Sequence, residues 1–544
     1  MSAITFEPPG PGEWMLDTTH HGRRPTSGYM RDLTVEEFER GMAHLLERYG
    51  LPLVTVEGRL VNGCFYVRPK AVGEGARASA PPPRPIMKII ARLHPELRRR
   101  NKTAAAAWAE QRWRNDVDAW FGGEREATVR RLLDRQATPV GELSDDELVE
   151  HVAALTADVR ELMYLGMATH GGDLIPNGDY FAHCAAWGLD LGAAAALLRG
   201  SSPATAEVAR LLQPVAEAVA GADPRPTSIA EVRALGPAVA DAVDRWLDLH
   251  GWRVIDSDDL DATTLAERPD LQLAVLLSAG RSFADVTPPD PSALRARVPP
   301  DRRALFDELL AEARYGLRLR DDNVGVRWNW PVGLLRRALL EVGRRLQGRG
   351  LLVDAAHVIE LDPTEVAPLL RAGDADGPAA AAVAERAARR LAIEAAGPPS
   401  TLGEPEAPPP LDAFPAPMAR ATRAMLAMIR AMEGEARPEP LHGTGVGEAA
   451  YRGTARVVSG ADDAFARLEE GDVLVASFTG PAYNSILGLV GALVVEEGGP
   501  LCHAAIVARE LGVPAVVGAA EATTLVVDGA KIEVDPVAGA VRLL

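Results

Sequence analysis

A proline-rich run, Ala396-Gly-Pro-Pro-Ser-Thr-Leu-Gly-Glu-Pro-Glu-Ala-Pro-Pro-Pro410, sets the plan of this chain. Proline lacks the amide proton that a helix or a central strand needs, and its ring clashes with the preceding helical turn. No helix continues through such a run, which is expected to be semi-rigid and solvated. The residues on its two sides have different textures, so the fold class read from the sequence is multidomain.

Before the run the chain is mainly α-helical. Thr34-Val-Glu-Glu reads as a capping signal for a helix near Glu36–Tyr49. A short strand pair is expected around Leu53–Val56 and Cys64–Val67. From about residue 87 to 395, apolar residues recur at three- and four-residue spacing over Glu147–Leu165, Ala204–Ala220, Ile229–His250, Arg302–Arg318 and Leu334–Arg349. Pro214 is expected to kink the second of these. One more helix, about Ala416–Glu433, follows the run. Beyond residue 440, short β-rich stretches alternate with glycine turns: Tyr451–Val458, Asp472–Ala476, Ala492–Glu496, Ala515–Val517, Lys531–Val534 and Ala540–Leu543. That is the pattern of a compact α/β unit of about 100 residues.

Charge and composition exclude several classes. A formal charge of −18 is a poor match for the phosphate backbone of a nucleic acid, so nucleic acid is not an expected partner. Three widely spaced cysteines, Cys64, Cys184 and Cys502, form neither a disulfide framework nor a paired zinc motif. The longest apolar stretches, such as Ile486–Val495, are short and broken by glycine, so no membrane span is expected. The opening MSAITFEPPGPGEW lacks the basic start and apolar run of a signal peptide, and the expected location is cytoplasmic. GxxxxGK[ST], HExxH and GxSxG are absent, and none of the lysines follows a glycine.

The chemistry concentrates in Gly491–Gly518. A buried strand leads into Gly498-Gly499, a helix begins near Cys502 and closes at Gly512, and Val513-Pro514 opens the next strand. His503 therefore sits in the first helical turn. Free backbone N–H groups and the positive end of the helix dipole at Gly498, Gly499 and Cys502 suit a phosphoryl group there. An imidazolium would be repelled by the same dipole, which favours a neutral, nucleophilic ring. Taken alone, the ordinary reading of such a histidine is a surface or satisfied core residue.

The segment Gly498-Gly-Pro-Leu-Cys-His503-Ala-Ala-Ile-Val-Ala-Arg-Glu-Leu-Gly-Val-Pro-Ala-Val-Val-Gly518 closely resembles the phosphohistidine segment of the phosphoenolpyruvate-utilising enzymes. Gly471-Asp-Val-Leu-Val-Ala476 and the turn Phe478-Thr-Gly-Pro-Ala-Tyr-Asn484 are similar to the strand and turn beside that histidine. The resemblance implies a C-terminal α/β swivelling domain over 440–544 that carries a phosphoryl group on His503. This chain departs from the family at Leu501, where a threonine or serine hydroxyl is common. Upstream, Leu249-His-Gly-Trp-Arg253, Thr264-Leu-Ala-Glu-Arg-Pro269, Arg320-Asp-Asp-Asn323 and Val358-Ile-Glu-Leu-Asp362 resemble the middle domain of rifampin phosphotransferase-like members. The implied plan is a helical substrate-binding domain over 1–395, a linker and connecting helix over 396–439, and the mobile domain.

In that plan the acceptor pocket draws on His20, His21, His170, Arg253, Arg320, Asp321 and Asp322. Arginines would orient an anion, and a carboxylate or histidine would deprotonate a hydroxyl. Trp108, Trp113, Trp120, Trp328 and Trp330 could floor a ligand pocket, although helix-borne aromatics are commonly core. No resident metal is expected. Mg²⁺ and ATP, or phosphoenolpyruvate, would act through a separate ATP-grasp protein, as in split members such as phenylphosphate synthase. The leading expectation is thus a phosphotransferase component that passes the group from His503 to a small hydroxyl- or carboxylate-bearing molecule. A dehydratase working by phosphorylation and elimination is one alternative, and a non-enzymatic phosphohistidine relay or regulatory protein is the other.

Overall fold

The computed structural model describes residues 4–544 apart from 18–23, 75–82, 256, 283–287, 373–376, 406–409, 435–438, 481–482, 484–485 and 488. Two compact units form. One combines Met1–Gly171, Trp252–Thr264 and Asp322–Thr422, and the other combines Gly172–Gly251, Leu265–Asp321 and Arg423–Leu544. Among the described residues no helix is long and apolar enough to cross a membrane.

The first unit holds an antiparallel sheet of β1 (Trp14–Leu16), β2 (Leu53–Val61), β3 (Cys64–Ala71) and β4 (Thr401–Leu402), in the order β2-β3-β1-β4. Here the proline-rich run behaves differently from expectation. Its residues between the prolines pair with β1, Tyr66 donates its hydroxyl to Pro399 O, and Leu402 is buried beside Trp14, Leu16 and Tyr66. Two residues with free amide groups suffice for an edge strand, the one sheet position where flanking prolines are tolerated. The first helix also starts earlier than expected, at Arg31, and runs to Arg48. Thr34 is therefore an interior, fully buried residue and not a cap. Helix Asp145–Thr169 does carry a complete capping box, with Ser144 and Glu147 reciprocally bonded to each other's backbone.

In the second unit, helix Pro203–Ala220 continues through Pro214. The segment Ile229–His250 divides into Ile229–Ala234 and Pro237–His250, because Gly236-Pro237 ends one helix and starts the next. Helix Ala416–Glu433 forms over the expected residues, and its last residues belong to this unit.

The sheet of the second unit comprises, among the described residues, β5 (Thr444–Val446), β6 (Tyr451–Val457), β7 (Val473–Ala476), β8 (Ala492–Val495), β9 (Ala515–Val517), β10 (Lys531–Asp535) and β11 (Ala540–Leu543). Their order is β11-β10-β6-β7-β8-β9-β5. Strands β6, β7, β8 and β9 run parallel, flanked by antiparallel partners. Every residue of β7, β8 and β9 is buried, which explains why these strands read as short unbroken valine-rich runs rather than alternating ones. Val473, Val475, Val494, Val516, Ile532 and Val534 form the core of this sheet. Burying each such side chain contributes roughly 1.5–3 kcal/mol.

Edge strand β5 lies close to the backbone after β10. A Cβ on Gly445 would fall 1.7 Å from the Pro536 carbonyl oxygen, whereas one on Gly460 meets nothing. Gly445→Ala is expected to destabilise the protein by about 2–3 kcal/mol, as overpacking against rigid backbone does. Gly460→Ala should stay within about 0.5 kcal/mol of the parent. Urea unfolding of both variants checks the pair.

Candidate functional site

Strand β8 ends at Val495, and the chain turns through Gly498 in a positive-φ conformation (φ +111°). Gly499 then passes so close to the end of helix Ala416–Glu433 that a Cβ would lie 2.5 Å from Gly434 N and 2.7 Å from Ala431 O. The Gly499 and Leu501 amides donate to Met432 O and Ala431 O at 2.8 Å each, and the Cys502 amide donates to Gly499 O at 3.0 Å. The glycine pair thus seats this loop against the preceding helix. Cys502 is the N-cap, with Sγ accepting from Ala505 N at 3.5 Å. His503 is the first residue of helix His503–Leu511, which ends at Gly512 in the left-handed region (φ +67°). The helix spans the segment anticipated from the sequence.

His503 is half-buried. Its Nδ1 lies 3.1 Å from Thr479 Oγ1, and its Nε2 is shielded from solvent without a hydrogen-bond partner among the described residues. A buried N–H without an acceptor is costlier than an unsatisfied lone pair. The tautomer that satisfies the site therefore carries the proton on Nδ1, donates it to Thr479 and leaves the Nε2 lone pair open. Desolvation, and next the positive charge of Arg320, push the His503 pKa down to about 4. The ring is neutral at physiological pH, and its Nε2 is a competent nucleophile.

Arg320 and Arg509 frame the loop. Arg320 Nη2 donates to Leu501 O at 3.2 Å, and Arg509 Nη1 donates to Pro500 O at 2.5 Å. Burial lowers the Arg509 pKa to about 10 and raises that of the Cys502 thiol. Asp321, in the same unit, accepts from Ser202 Oγ.

The candidates in the other unit have different surroundings. Asp322 accepts from Trp120 Nε1 at 2.9 Å and from Arg125 Nε at 2.7 Å. Beside it, the buried Arg327 lies over the Trp120 ring at 4.0 Å and donates to Asn323 Oδ1 at 2.8 Å. Arg253 lies over Trp330, 5.5 Å from the ring centroid. His170 closes helix Asp145–Thr169, its amide bonded to Met167 O. Trp113, Trp120, Trp328 and Trp330 are buried, and Trp108 meets Trp113 edge-to-face. His20 and His21 lie outside the described residues. The structure thus joins His503, Cys502, Gly498, Gly499 and Arg320 in one neighbourhood. It adds Thr479 and Arg509, which the sequence contained in recognisable segments without marking their roles. Thr479 supplies a hydroxyl beside the histidine, while the residue two positions before His503 is the apolar Leu501.

Two family matches fall on these regions. Residues 468–539 match the PEP-utilising enzyme mobile domain, and residues 180–331 match the rifampicin phosphotransferase fourth domain. Fold and sequence match therefore agree on a C-terminal mobile domain of the PEP-utilising enzyme type. Over residues 468–539 the chain is similar to the phosphoenolpyruvate-utilising enzymes. It is 29% identical to a rifampicin phosphotransferase of Streptomyces sviceus over 332 residues, 57% of this chain and 35% of that protein. Shorter matches reach 41% identity with a rifampicin phosphotransferase of Bacillus cereus (20% of this chain, 12% of that one) and 39% with a phosphoenolpyruvate synthase of Aeropyrum pernix (20% and 14%). The chain spans about a third of the length of the first-matching curated relatives.

Two outcomes follow from this geometry. In an NMR titration the His503 ring keeps its neutral-form shifts as pH falls through 6.5 and titrates only near pH 4; a midpoint between 6 and 7 would contradict the site. Asp322→Ala removes the acceptor of Trp120 Nε1 and one partner of Arg125 and should destabilise the protein by about 2 kcal/mol, read as a lower denaturant midpoint.

Proposed function

We propose that this chain is a phosphotransferase component in which His503 Nε2 carries a phosphoryl group to a small molecule bearing a hydroxyl or carboxylate. The observation that carries the reading is the neutral His503, with its Nδ1 engaged by Thr479 and its shielded Nε2 without a hydrogen-bond partner among the described residues. In the charging step the Nε2 lone pair forms the N–P bond as the donor's bond to phosphorus breaks, and the leaving group keeps that electron pair. Thr479 stabilises the ring as positive charge develops, by accepting from Nδ1–H. In the second step the acceptor oxygen displaces Nε2 from phosphorus. With a hydroxyl acceptor, whose proton passes to a base as the O–P bond forms, the ester product is more stable than the high-energy N–P linkage, so that transfer runs forward.

Among the described residues no group of three or more His, Cys, Asp or Glu side chains is arranged to hold a metal ion. In the proposed scheme Mg²⁺ and ATP, or phosphoenolpyruvate, stay with a separate ATP-grasp protein. The match to the rifampicin phosphotransferase fourth domain supports placing the acceptor on residues of the helical part, with Arg320 and Asp321 as candidates in the same unit as His503.

Incubation with labelled ATP, Mg²⁺ and an ATP-grasp protein encoded beside it tests the proposal. Acid-labile, alkali-stable label is expected on the intact chain and none on His503→Ala. Thr479→Val should slow labelling about tenfold, the effect of one lost hydrogen bond to a group that gains charge. Equal labelling of the parent and His503→Ala would overturn the reading.

A further inference from the structure

The segment that leads into His503 is gripped by two arginines in the same way. Each guanidinium donates one terminal nitrogen to a loop carbonyl: Arg320 Nη2 to Leu501 O, and Arg509 Nη1 to Pro500 O. The other terminal nitrogens, Arg320 Nη1 and Arg509 Nη2, are shielded from solvent without a hydrogen-bond partner among the described residues. His503 Nε2 is in the same condition. Pro500 and Leu501 are adjacent and lie two to three residues before His503, so both guanidinium groups reach the loop that carries the ring. Asp190 acts on Arg509 through its charge, but its Oδ1 accepts from Ala193 N at 2.7 Å, where it caps a neighbouring helix.

Two guanidinium groups, each with a shielded and idle donor, are an expensive arrangement unless an acceptor joins them. That group must accept hydrogen bonds from both guanidinium groups and also satisfy the His503 lone pair. A phosphoryl group bonded to Nε2 meets every condition, because it offers three acceptor oxygens and a charge near −2 to planar donors suited to phosphate.

We propose that Arg320 and Arg509 form a two-arginine clamp that binds the phosphoryl oxygens of phospho-His503, with Arg320 supplying the donor from outside the mobile domain. This inference rests on the carrier reading above and specifies what holds its charged form. Arg320 precedes the sheet domain by more than a hundred residues, so the clamp also makes the bound state of the histidine domain sensitive to its own charge. Phosphorylation supplies an anion to Arg320 Nη1, and release of the group removes it.

Potassium phosphoramidate tests the clamp on the whole chain without any partner. The His503 Nε2 lone pair attacks phosphorus, the P–N bond of the reagent breaks, and the amine takes a proton and leaves as ammonia. The ³¹P resonance of the adduct, assigned by its absence in His503→Ala, is then followed with pH. An adjacent cation favours the dianion, so losing it raises the phosphoryl titration midpoint. Arg320→Gln is expected to raise that midpoint by about one unit, a tenfold change in acidity, and to weaken binding of inorganic phosphate to the uncharged chain about tenfold. Arg320→Lys, which keeps a charge, restores part of the shift, and circular dichroism establishes that both variants are folded. Label on His503 with the same midpoint and phosphate affinity in the parent and Arg320→Gln would overturn the clamp and leave the carrier reading standing. Absence of label at His503 in the parent chain would overturn both.

Discussion

Everything distinctive about this molecule depends on holding one imidazole neutral in a place that invites negative charge. Burial removes the solvent that would stabilise an imidazolium, and the Arg320 charge disfavours it further. A positive helix terminus acts in the same sense. A protonated ring there would have no lone pair at Nε2. The neutral ring has one, and Thr479 gives the Nδ1 proton somewhere to go. Protonation state, tautomer and orientation are thus set by three separate physical effects that agree.

The surrounding fold supplies the precision. Parallel strands β7, β8 and β9 are buried throughout and place the loop after β8 on a rigid base. The Gly498-Gly499 pair makes a positive-φ turn and a backbone approach that no side chain would permit. The glycines beside the histidine shape the loop as much as they open room for an anion, since the amides of Gly499, Leu501 and Cys502 are all engaged within the protein.

Much of this was legible in the sequence because it depends on local rules. The strand–glycine–helix–glycine–strand order of 491–518 follows from apolar runs, a cap and a C-terminal glycine, and the helix forms over His503–Leu511 as that pattern requires. The valine-rich strands and helix Ala416–Glu433 fall where the pattern puts them for the same reason. What was not legible depends on pairing between distant residues. Nothing local says that Thr401–Leu402, set among prolines, joins a sheet with Trp14–Leu16, or that Thr34 is covered and not capping. In the same way, the roles of Thr479 and Arg509 lie in which atom each side chain reaches, and sequence spacing does not encode that. Asp321 and Asp322 are adjacent in sequence, yet one meets Ser202 and the other Trp120 and Arg125. A cluster of charges in a motif therefore need not be a cluster in space.

The central claim is that His503 presents an unprotonated Nε2 at neutral pH. A long-range ¹H–¹⁵N spectrum of the intact chain labelled with ¹⁵N-histidine reads this directly. The account predicts that the His503 ring is neutral at pH 7, with its proton on Nδ1 and a bare, imine-type Nε2. A doubly protonated ring, or a neutral ring with its proton on Nε2, would contradict it.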